Sequence, residues 1–371
     1  MQRRRFVAGL AMASLGWQTH AMSLQTSFSF MFEEGVRHKR TWMAFVADPE
    51  LWGMALAPQV KANLALLANT IAKYEPVAIL VSADDLALAK ALLNVDSFPY
   101  AIELIECDVD DFWLRDSGPT FVWGGGGVRA LDFNFNGWGG KQRHERDALV
   151  AQFIAQHAKV PLVATWPVLE GGCFEVDGEG TAILTKSCVL NDNRNPGTSQ
   201  TAIERELSYR LGAHKIIWLE GIKGRDITDG HTDFYARFSQ PGQVLVSRDN
   251  DQSSYDYAVT RENIEILRNS TDARGRPLRL TILDTPEVIN EQYGVQNFAA
   301  GYIGYYVCNG AVIAQKFGDR RTDAKAKQKL QAAYPQHVIE QISVDAIASG
   351  GGSIHCATQQ EIMAPTGAEI S

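Results

Sequence analysis

Secondary-structure signals recur in one fixed order along this chain. A short apolar strand leads to a tight hairpin turn, a second strand follows the turn, and a helical pattern comes next. The strands are predicted at 40–45, 76–83, 101–108, 165–172, 216–222, 278–284 and 338–344, and the helices at 57–74, 145–157, 199–211, 256–269 and 323–334. Five such units predict an α/β protein of repeated modules around an axis. The pattern alone also allows an open sheet with crossover helices.

No segment rich in proline, serine or charge separates the modules, so residues 24–371 are predicted to form one domain. The formal net charge is −8. This balance gives no electrostatic footprint for binding nucleic acid or an anionic membrane. The five cysteines lie far apart without a CxxC pair, so the spacing predicts neither a zinc site nor a disulfide framework.

The first residues read as a separate segment. A basic start, Arg3 to Arg5, precedes an apolar run from Phe6 to about Trp17, and small residues at a possible cleavage site follow it. Residues 1–21 are therefore predicted to be a cleavable, twin-arginine-like export signal, which places the mature protein in the periplasm or outside the cell. Alternatively, Met22 is the true start and the protein is cytoplasmic.

Chemistry-bearing residues recur at matching points of the modules. Asp116 lies in WLRDSGP, Glu170 in LEGG, His231 and Asp233 in DGHTD, and Cys356 in GGGSIHC. Each has an ordinary explanation alone, such as a turn aspartate or a buried thiol. If the modules surround an axis, however, equivalent strand ends meet at one central place. The glycines before Cys356 would let the backbone approach a neighbour closely or adopt positive φ.

Together these residue types suit a guanidinium substrate. Two carboxylates can bind its N–H groups, a thiolate can attack its carbon, and a histidine can protonate departing ammonia. A metal is not needed for this chemistry, and the sequence has no recognisable ligand set for one. No cofactor is expected.

The same motifs, in the same order, carry a resemblance to a known family. The segments WLRDSGPTFV, FNFNGWGG, LNDNRNP, DGHTDFYARF and GGGSIHCATQQE resemble those of agmatine deiminases and the related bacterial peptidyl-arginine deiminases. The resemblance covers about residues 30–365. It implies the pentein fold, a five-bladed pseudo-symmetric α/β propeller of ββαβ modules, without metal or cofactor, and makes a homodimer plausible.

The resemblance also implies roles for individual residues. Cys356 would be the nucleophile and His231 the general acid and base. Asp116 and Asp233 would hold the guanidinium, and Glu170 would orient His231 and contact the substrate. Trp113 would lie along the aliphatic part of the substrate. Trp138 lies near the place where carboxylate-binding relatives carry paired arginines, which this sequence does not have there.

Several segments differ from the agmatine-specific pattern, including CFEVDG after LEGG and TDFYARF after DGH. The best reading is hydrolysis of agmatine to N-carbamoylputrescine and ammonia, a step of putrescine biosynthesis. The alternatives are deimination of peptidyl or free arginine to citrulline, transfer of the amidine to an amine, and an exported protein that binds guanidino compounds without turnover.

Overall fold

The computed structural model describes residues 28–95, 97–293 and 298–364. The predicted export signal, residues 1–21, lies outside these ranges. The strands are β1 (Ser29–Phe30), β2 (His38–Phe45), β3 (Val77–Val81), β4 (Ile102–Glu106), β5 (Thr120–Gly124), β6 (Gly127–Asp132), β7 (Leu162–Ala164), β8 (Phe174–Val176), β9 (Thr181–Thr185), β10 (Lys215–Leu219), β11 (Ala236–Gln240), β12 (Gln243–Arg248), β13 (Arg279–Asp284), β14 (Tyr306–Cys308), β15 (Ala311–Gln315), β16 (Val338–Ile342) and β17 (Gln359–Ile362).

Helices alternate with these strands. They are α1 (Pro49–Trp52), α2 (Ala57–Ile71), α3 (Leu86–Leu92), α4 (Leu114–Ser117), α5 (Gly137–Gly140), α6 (Val150–Ala158), α7 (Lys186–Val189), α8 (Gln200–Leu211), α9 (Asp256–Arg268), α10 (Arg320–Ala333) and α11 (Asp345–Ala348). Among the described residues, none of these helices has the length and apolarity that a membrane span requires.

The strands of the described chain form five small sheets built on one plan. In each sheet an antiparallel pair is followed, after one long helix, by a third strand parallel to the second member of the pair. The long helices that make these crossovers are α2, α6, α8, α9 and α10. The predicted ββαβ repeat is therefore confirmed, and an open sheet with crossover helices is excluded.

The first and last modules are closed by one another. Strand β17 pairs antiparallel with β2, and β2 pairs parallel with β3, so one hairpin-like pair is assembled from opposite ends of the described chain. The pattern of local signals did not predict this pairing. Periodicity reports only the chain's own neighbourhood and carries no information about a partner some three hundred residues away.

One strand prediction was wrong. The sequence pattern predicts a strand at residues 165–172. The strand of that module is instead β7, which has three residues and ends at Ala164. The stretch after Ala164 runs as an irregular loop fixed by side-chain amides. Asn134 Nδ2 donates to the carbonyls of Thr165 and Pro167, and Asn195 Nδ2 donates to that of Val168. These long-range bonds replace a sheet ladder.

The hydrophobic core is formed by buried strands and by the apolar faces of the helices that pack on them. Strand β3, between two parallel neighbours, is the apolar run VAILV and is buried throughout. Helix α2 packs one face inward with Val60, Leu64, Leu67 and Ile71, the spacing of an amphipathic helix. Buried apolar contacts fix the outer elements in this way, and the ends of the strands are left to carry polar side chains.

Candidate active site

The polar residues singled out in the sequence precede the first strand of a hairpin pair. Asp116 lies in the short helix before β5, and Glu170 lies just before the turn that leads into β8. Asp233 lies in the turn before β11, and Cys356 lies three residues before β17. Because these positions are equivalent in the repeat, the modules bring them to one place.

Measured distances join these residues into one cluster. His231 Nε2 lies 3.3 Å from Glu170 Oε2, and His231 Nδ1 lies 3.8 Å from Asp116 Oδ1. Cys356 Sγ lies 3.9 Å from Asp233 Oδ2. All five side chains are buried. The structure therefore brings together the two aspartates, the glutamate, the histidine and the cysteine that the sequence singled out, and Asp233 is close enough to Asp116 to raise the pKa of that carboxyl group.

Each aspartate uses one oxygen to hold its position and leaves the other without a hydrogen bond. Asp116 Oδ2 accepts from Trp138 Nε1 at 3.0 Å, and Asp233 Oδ2 pairs with His355 Nδ1 at 2.6 Å. Among the described residues, Asp116 Oδ1, Asp233 Oδ1 and His231 Nδ1 have no hydrogen-bond partner. A buried carboxylate oxygen without a partner is costly. Two of them beside a thiol form a receptor for a cation with several N–H groups.

Trp138 reaches Asp116 through an unusual backbone. Residues 137–140 all have positive φ, and Trp138 itself has φ of 55°. A bulky residue in this left-handed region costs about 1–2 kcal/mol. The glycines on both sides tolerate the conformation, and it directs the indole N–H at the carboxylate. Sequence inspection placed Trp138 near the substrate, but this bond to Asp116 was not foreseen.

A pocket of about 130 Å³ leads to the cluster. Aromatic and aliphatic side chains form much of its wall, and its polar lining includes two carboxylates. The lining includes Trp52, Trp113, Trp138, Ile227, Phe234, Asp111, Asp116, Gln142 and Cys356. Apolar walls that end at carboxylates suit an aliphatic chain with a cationic head.

The glycine triplet before Cys356 shapes this pocket. A Cβ on Gly350 would lie 2.0 Å from the Trp52 ring, and one on Gly352 would lie 2.3 Å from the Trp113 ring. Gly351 has φ of 87°. The glycines thus allow both close approach and positive φ. Trp113 packs on this loop, and both its ring and Cys356 line the pocket.

The Cys356 thiol favours its neutral form. Burial, reinforced by the carboxylates of Asp233 and Asp116, raises its pKa to about 12. The Ser353 hydroxyl, 3.5 Å from the sulfur, acts the other way but is outweighed. A cation bound between the two aspartates would reverse this balance and favour the thiolate.

His231, in contrast to Cys356, favours its charged form. Burial lowers the pKa of His231, but the Asp116 carboxylate, the Cys188 sulfur and Glu170 offset this and raise it well above its usual range. His231 therefore rests as the imidazolium, ready to give up a proton. Burial raises the pKa of Asp116 to about 6 even though His231 lowers it.

Arg194, a residue for which the sequence predicted no role, holds the Glu170 carboxylate in place. Arg194 Nε donates to both Glu170 oxygens, at 2.8 and 3.0 Å, and Arg194 Nη1 donates to Asp229. Burial would raise the pKa of Glu170, but His231 and Arg194 hold it at about 2. Arg194 stands in LNDNRNP, a segment that carried the resemblance but no role.

A series of buried hydrogen bonds holds the Asp233 carboxylate in place. His355 bridges Asp233 Oδ2 and Glu34 Oε2, with the second contact at 2.7 Å. Glu34 in turn accepts from Arg237 Nη2 at 2.8 Å. Sequence inspection also missed His355, although it adjoins Cys356. Its buried bond explains why Asp233 has a pKa below the usual value despite its burial.

The described residues also contain one group with the donor types of a metal site. Ligand atoms of Glu170, Cys173, Cys188 and His231 all lie within 4.8 Å of one another. The cysteines lack metal-site spacing along the chain, so no such group is predicted from the sequence. The Arg194 guanidinium already binds both Glu170 oxygens, so an added cation would face a fixed positive charge.

Comparison with known proteins completes the description. Residues 30–361 match the family model of the Porphyromonas-type peptidyl-arginine deiminases. The agmatine deiminase of Pseudomonas aeruginosa is 37% identical, over 87% of this chain and 93% of that protein. The agmatine deiminase of Stutzerimonas stutzeri is 36% identical, over 90% and 95%. The solved agmatine deiminase of Enterococcus faecalis superposes with a TM-score of 0.84 at 31% identity, over 91% and 96%.

Proposed function

Since this chain belongs to the Porphyromonas-type peptidyl-arginine deiminase family, we propose that it hydrolyses agmatine to N-carbamoylputrescine and ammonia. It is a hydrolase of guanidino C–N bonds. The agmatine assignment rests on relatives of 36–37% identity that span most of the chain. In the site, hydrolysis of a guanidinium is supported by two buried carboxylate oxygens that have no hydrogen-bond partner and lie near a buried thiol.

Binding comes first in the proposed mechanism. Asp116 Oδ1 and Asp233 Oδ1 accept N–H groups of the guanidinium, and the aliphatic chain lies along Trp113 in the pocket. The bound positive charge lowers the pKa of Cys356, so its proton leaves to solvent and a thiolate remains. The substrate thereby helps to generate the nucleophile that attacks it.

The first chemical half forms a covalent intermediate. Cys356 Sγ attacks the guanidinium carbon, and a tetrahedral centre forms. The His231 imidazolium protonates one nitrogen, the C–N bond breaks and ammonia leaves. What remains on the cysteine is an S-alkylthiouronium cation, which the same two aspartates hold. Glu170 keeps His231 in place through its Nε2 contact.

The second half releases the product. His231, now neutral, removes a proton from water, and the resulting hydroxide attacks the thiouronium carbon. The C–S bond breaks as the ureido C=O bond forms, and the remaining hydroxyl proton passes to the departing Cys356 sulfur, so the thiol is restored and the neutral ureido product departs. His231 has regained its proton, so the cycle closes without metal or cofactor.

The deciding experiment is ammonia release by purified residues 22–371 with agmatine, free arginine and a peptide that contains arginine. We expect the fastest release from agmatine. Release from the peptide alone would contradict the agmatine proposal and make the protein a peptidyl-arginine deiminase. Release that depends on an added amine would identify an amidine transferase, and no release with any of these substrates would support a binding protein.

The pH dependence follows from Asp116. Its pKa is raised to about 6, and only its ionised form can bind the cation. Because kcat/KM reports the free enzyme, we expect its fall with decreasing pH to become steeper below pH 6, by about a further tenfold for each pH unit beyond the slope that Cys356 ionisation contributes. Initial rates at low agmatine concentration between pH 4.5 and 8 would test this. A profile whose slope does not change near pH 6 would exclude Asp116 as the titrating group.

Trp138→Phe tests the strained tryptophan. The ring still lines the pocket, but Asp116 Oδ2 loses its indole donor. A hydrogen bond to a charged group contributes about 1.5–3 kcal/mol, so kcat/KM should fall about 10- to 150-fold. The acid limb of the pH profile should also move to higher pH.

Trp166→Phe is a matched control for that variant. Trp166 also donates its indole N–H to a carboxylate, that of Glu206, but it is 48% exposed and is not among the residues that line the pocket. We expect kcat/KM to stay near the wild-type value. An equal loss in both variants would assign the effect to general destabilisation.

We also propose that residues 1–21 direct export, that residues 24–371 form one catalytic domain and that the protein forms a homodimer. The basic start, the apolar run and the family resemblance support these proposals. Fractionation of cells that produce the full chain would test export, since a cytoplasmic, uncleaved product contradicts it. Sedimentation of the purified protein would test the dimer.

A further inference from the structure

Two cysteines that take no part in the proposed mechanism contact each other and the carboxylate of Glu170. Cys173 ends the turn before β8, and Cys188 lies in α7 directly after β9. Strands β8 and β9 are an antiparallel hairpin in which Phe174 lies opposite Leu184, so both cysteines leave the same end of it. Their sulfurs are 3.1 Å apart and both side chains are fully buried.

This thiol pair contacts the site rather than only the core. Cys173 Sγ donates to Glu170 Oε2 at 2.8 Å and accepts from the Glu170 backbone N–H at 3.3 Å. Cys188 Sγ lies 3.7 Å from the same carboxylate oxygen. That oxygen is also the one that contacts His231 Nε2. A change at the sulfurs therefore reaches the proposed acid and base through one atom.

We propose that Cys173 and Cys188 form an oxidisable dithiol, which a hydroperoxide converts to an intramolecular disulfide that slows turnover reversibly. A disulfide needs the sulfurs about 2.05 Å apart, so the observed separation must shorten by only about 1 Å. The hairpin fixes both backbones and the pair is already in contact. A small oxidant is required because both sulfurs are buried.

The two sulfurs differ in a way that sets the order of steps. Burial would raise the pKa of Cys188, but the neighbouring Cys173 thiol, the Arg194 charge and His231 hold it below its usual value. Burial and the neighbouring Cys188 raise the pKa of Cys173 well above its usual value. Cys188 therefore forms a thiolate more readily than Cys173 does, and it is the sulfur that reacts with the oxidant first.

The chemistry balances with hydrogen peroxide as the oxidant. The Cys188 thiolate attacks one peroxide oxygen, the O–O bond breaks, and a sulfenic acid and one water form once a proton is taken up. Cys173 sulfur then attacks the sulfenic sulfur, the S–O bond breaks, and the departing hydroxide takes the Cys173 proton as a second water. The two thiols lose two electrons and the peroxide gains them.

The effect on turnover rests on the proposed function. In the disulfide Cys173 has no S–H, so Glu170 Oε2 loses its shortest donor and only Arg194 and His231 remain to place it. The catalytic histidine is then less well oriented. Asp116 and Asp233 are not touched by the change, so we expect kcat to fall at least about tenfold while KM changes less.

The disulfide can be detected without any activity. Trypsin cuts after Lys159, Lys186 and Arg194, so Cys173 falls in peptide 160–186 and Cys188 in peptide 187–194. In a Cys356→Ser background treated with hydrogen peroxide, we expect these peptides joined, with a mass two hydrogens below their sum, and separated by dithiothreitol. Unlinked peptides, or links to other cysteines, would overturn the proposal whether or not the enzyme deiminates agmatine.

The second test separates this pair from oxidation of the nucleophile. Cys173→Ser keeps a hydroxyl donor near Glu170 but has no second thiol. Each protein is compared with its own reduced activity after the same peroxide dose. We expect a large, dithiothreitol-reversible loss of kcat in the wild type and a much smaller loss in Cys173→Ser. Equal reversible losses in both would assign the effect to Cys356 and refute a regulatory role for the pair.

Discussion

Cys356→Ser is expected to lower kcat for deimination by at least about 10⁴-fold while agmatine still binds. A serine hydroxyl is a far weaker nucleophile than a thiolate, and the bound cation cannot ionise it at neutral pH. The two aspartates that hold the guanidinium remain in place. Ammonia release should therefore be lost, whereas the dissociation constant measured by calorimetry should stay within a few-fold of the KM of the wild type.

Mass spectrometry of quenched reactions adds a direct readout. The wild type should carry a transient amidine adduct on the tryptic peptide that contains Cys356, and the serine variant should carry none. Cys107→Ser is the matched control, because Cys107 is only partly buried and is not among the residues that line the pocket. Near-normal turnover in Cys356→Ser would remove this cysteine from the mechanism.

Asp233→Asn is expected to lower kcat/KM by about 30-fold to several thousand-fold. Truncating one charge of a buried pair costs about 2–5 kcal/mol, and the partner here is the substrate's guanidinium. The amide keeps nearly the same shape and can still contact His355. The loss therefore reports the charge more than the fold, and melting curves should confirm that the variant is folded.

The same substitution has a second effect of opposite sign. The Asp233 carboxylate raises the pKa of Cys356, so removing its charge lowers that pKa. Alkylation of Cys356 by iodoacetamide at pH 8 should become faster just as catalysis becomes slower. Asp108→Asn, at an exposed carboxylate, should change neither rate. Slower alkylation in Asp233→Asn would mean that the variant distorts the site.

The sequence predicted the repeated part of this molecule well, for a physical reason. Each module has its own hairpin turn and amphipathic helix, so local periodicity is enough to recognise it. Helix α8 was placed to within one residue, since Ser199 caps it and Gly212 ends it. The residues proposed as catalytic precede strands at equivalent positions, and this is why their separation along the chain anticipated their meeting in space.

The supporting residues were harder to foresee, because their roles depend on pairing between modules. Arg194, His355 and Glu34 act through buried bonds that join distant segments. The meeting of Cys173 with Cys188 also depends on the end at which two strands leave the hairpin. Nothing in local composition distinguishes such residues from ordinary buried polar groups or small apolar ones.

The pairing of β17 with β2 affects how the chain folds during its synthesis on the ribosome. Asp116, Glu170, His231 and Asp233 emerge and can begin to fold while Cys356 is still unsynthesised. Until β17 arrives, β2 is an unpaired edge with apolar neighbours, the kind of surface that chaperones bind and that aggregates. The segment that covers this edge also carries the proposed nucleophile, so the nascent chain cannot attack free guanidines until residues 356–362 have been made.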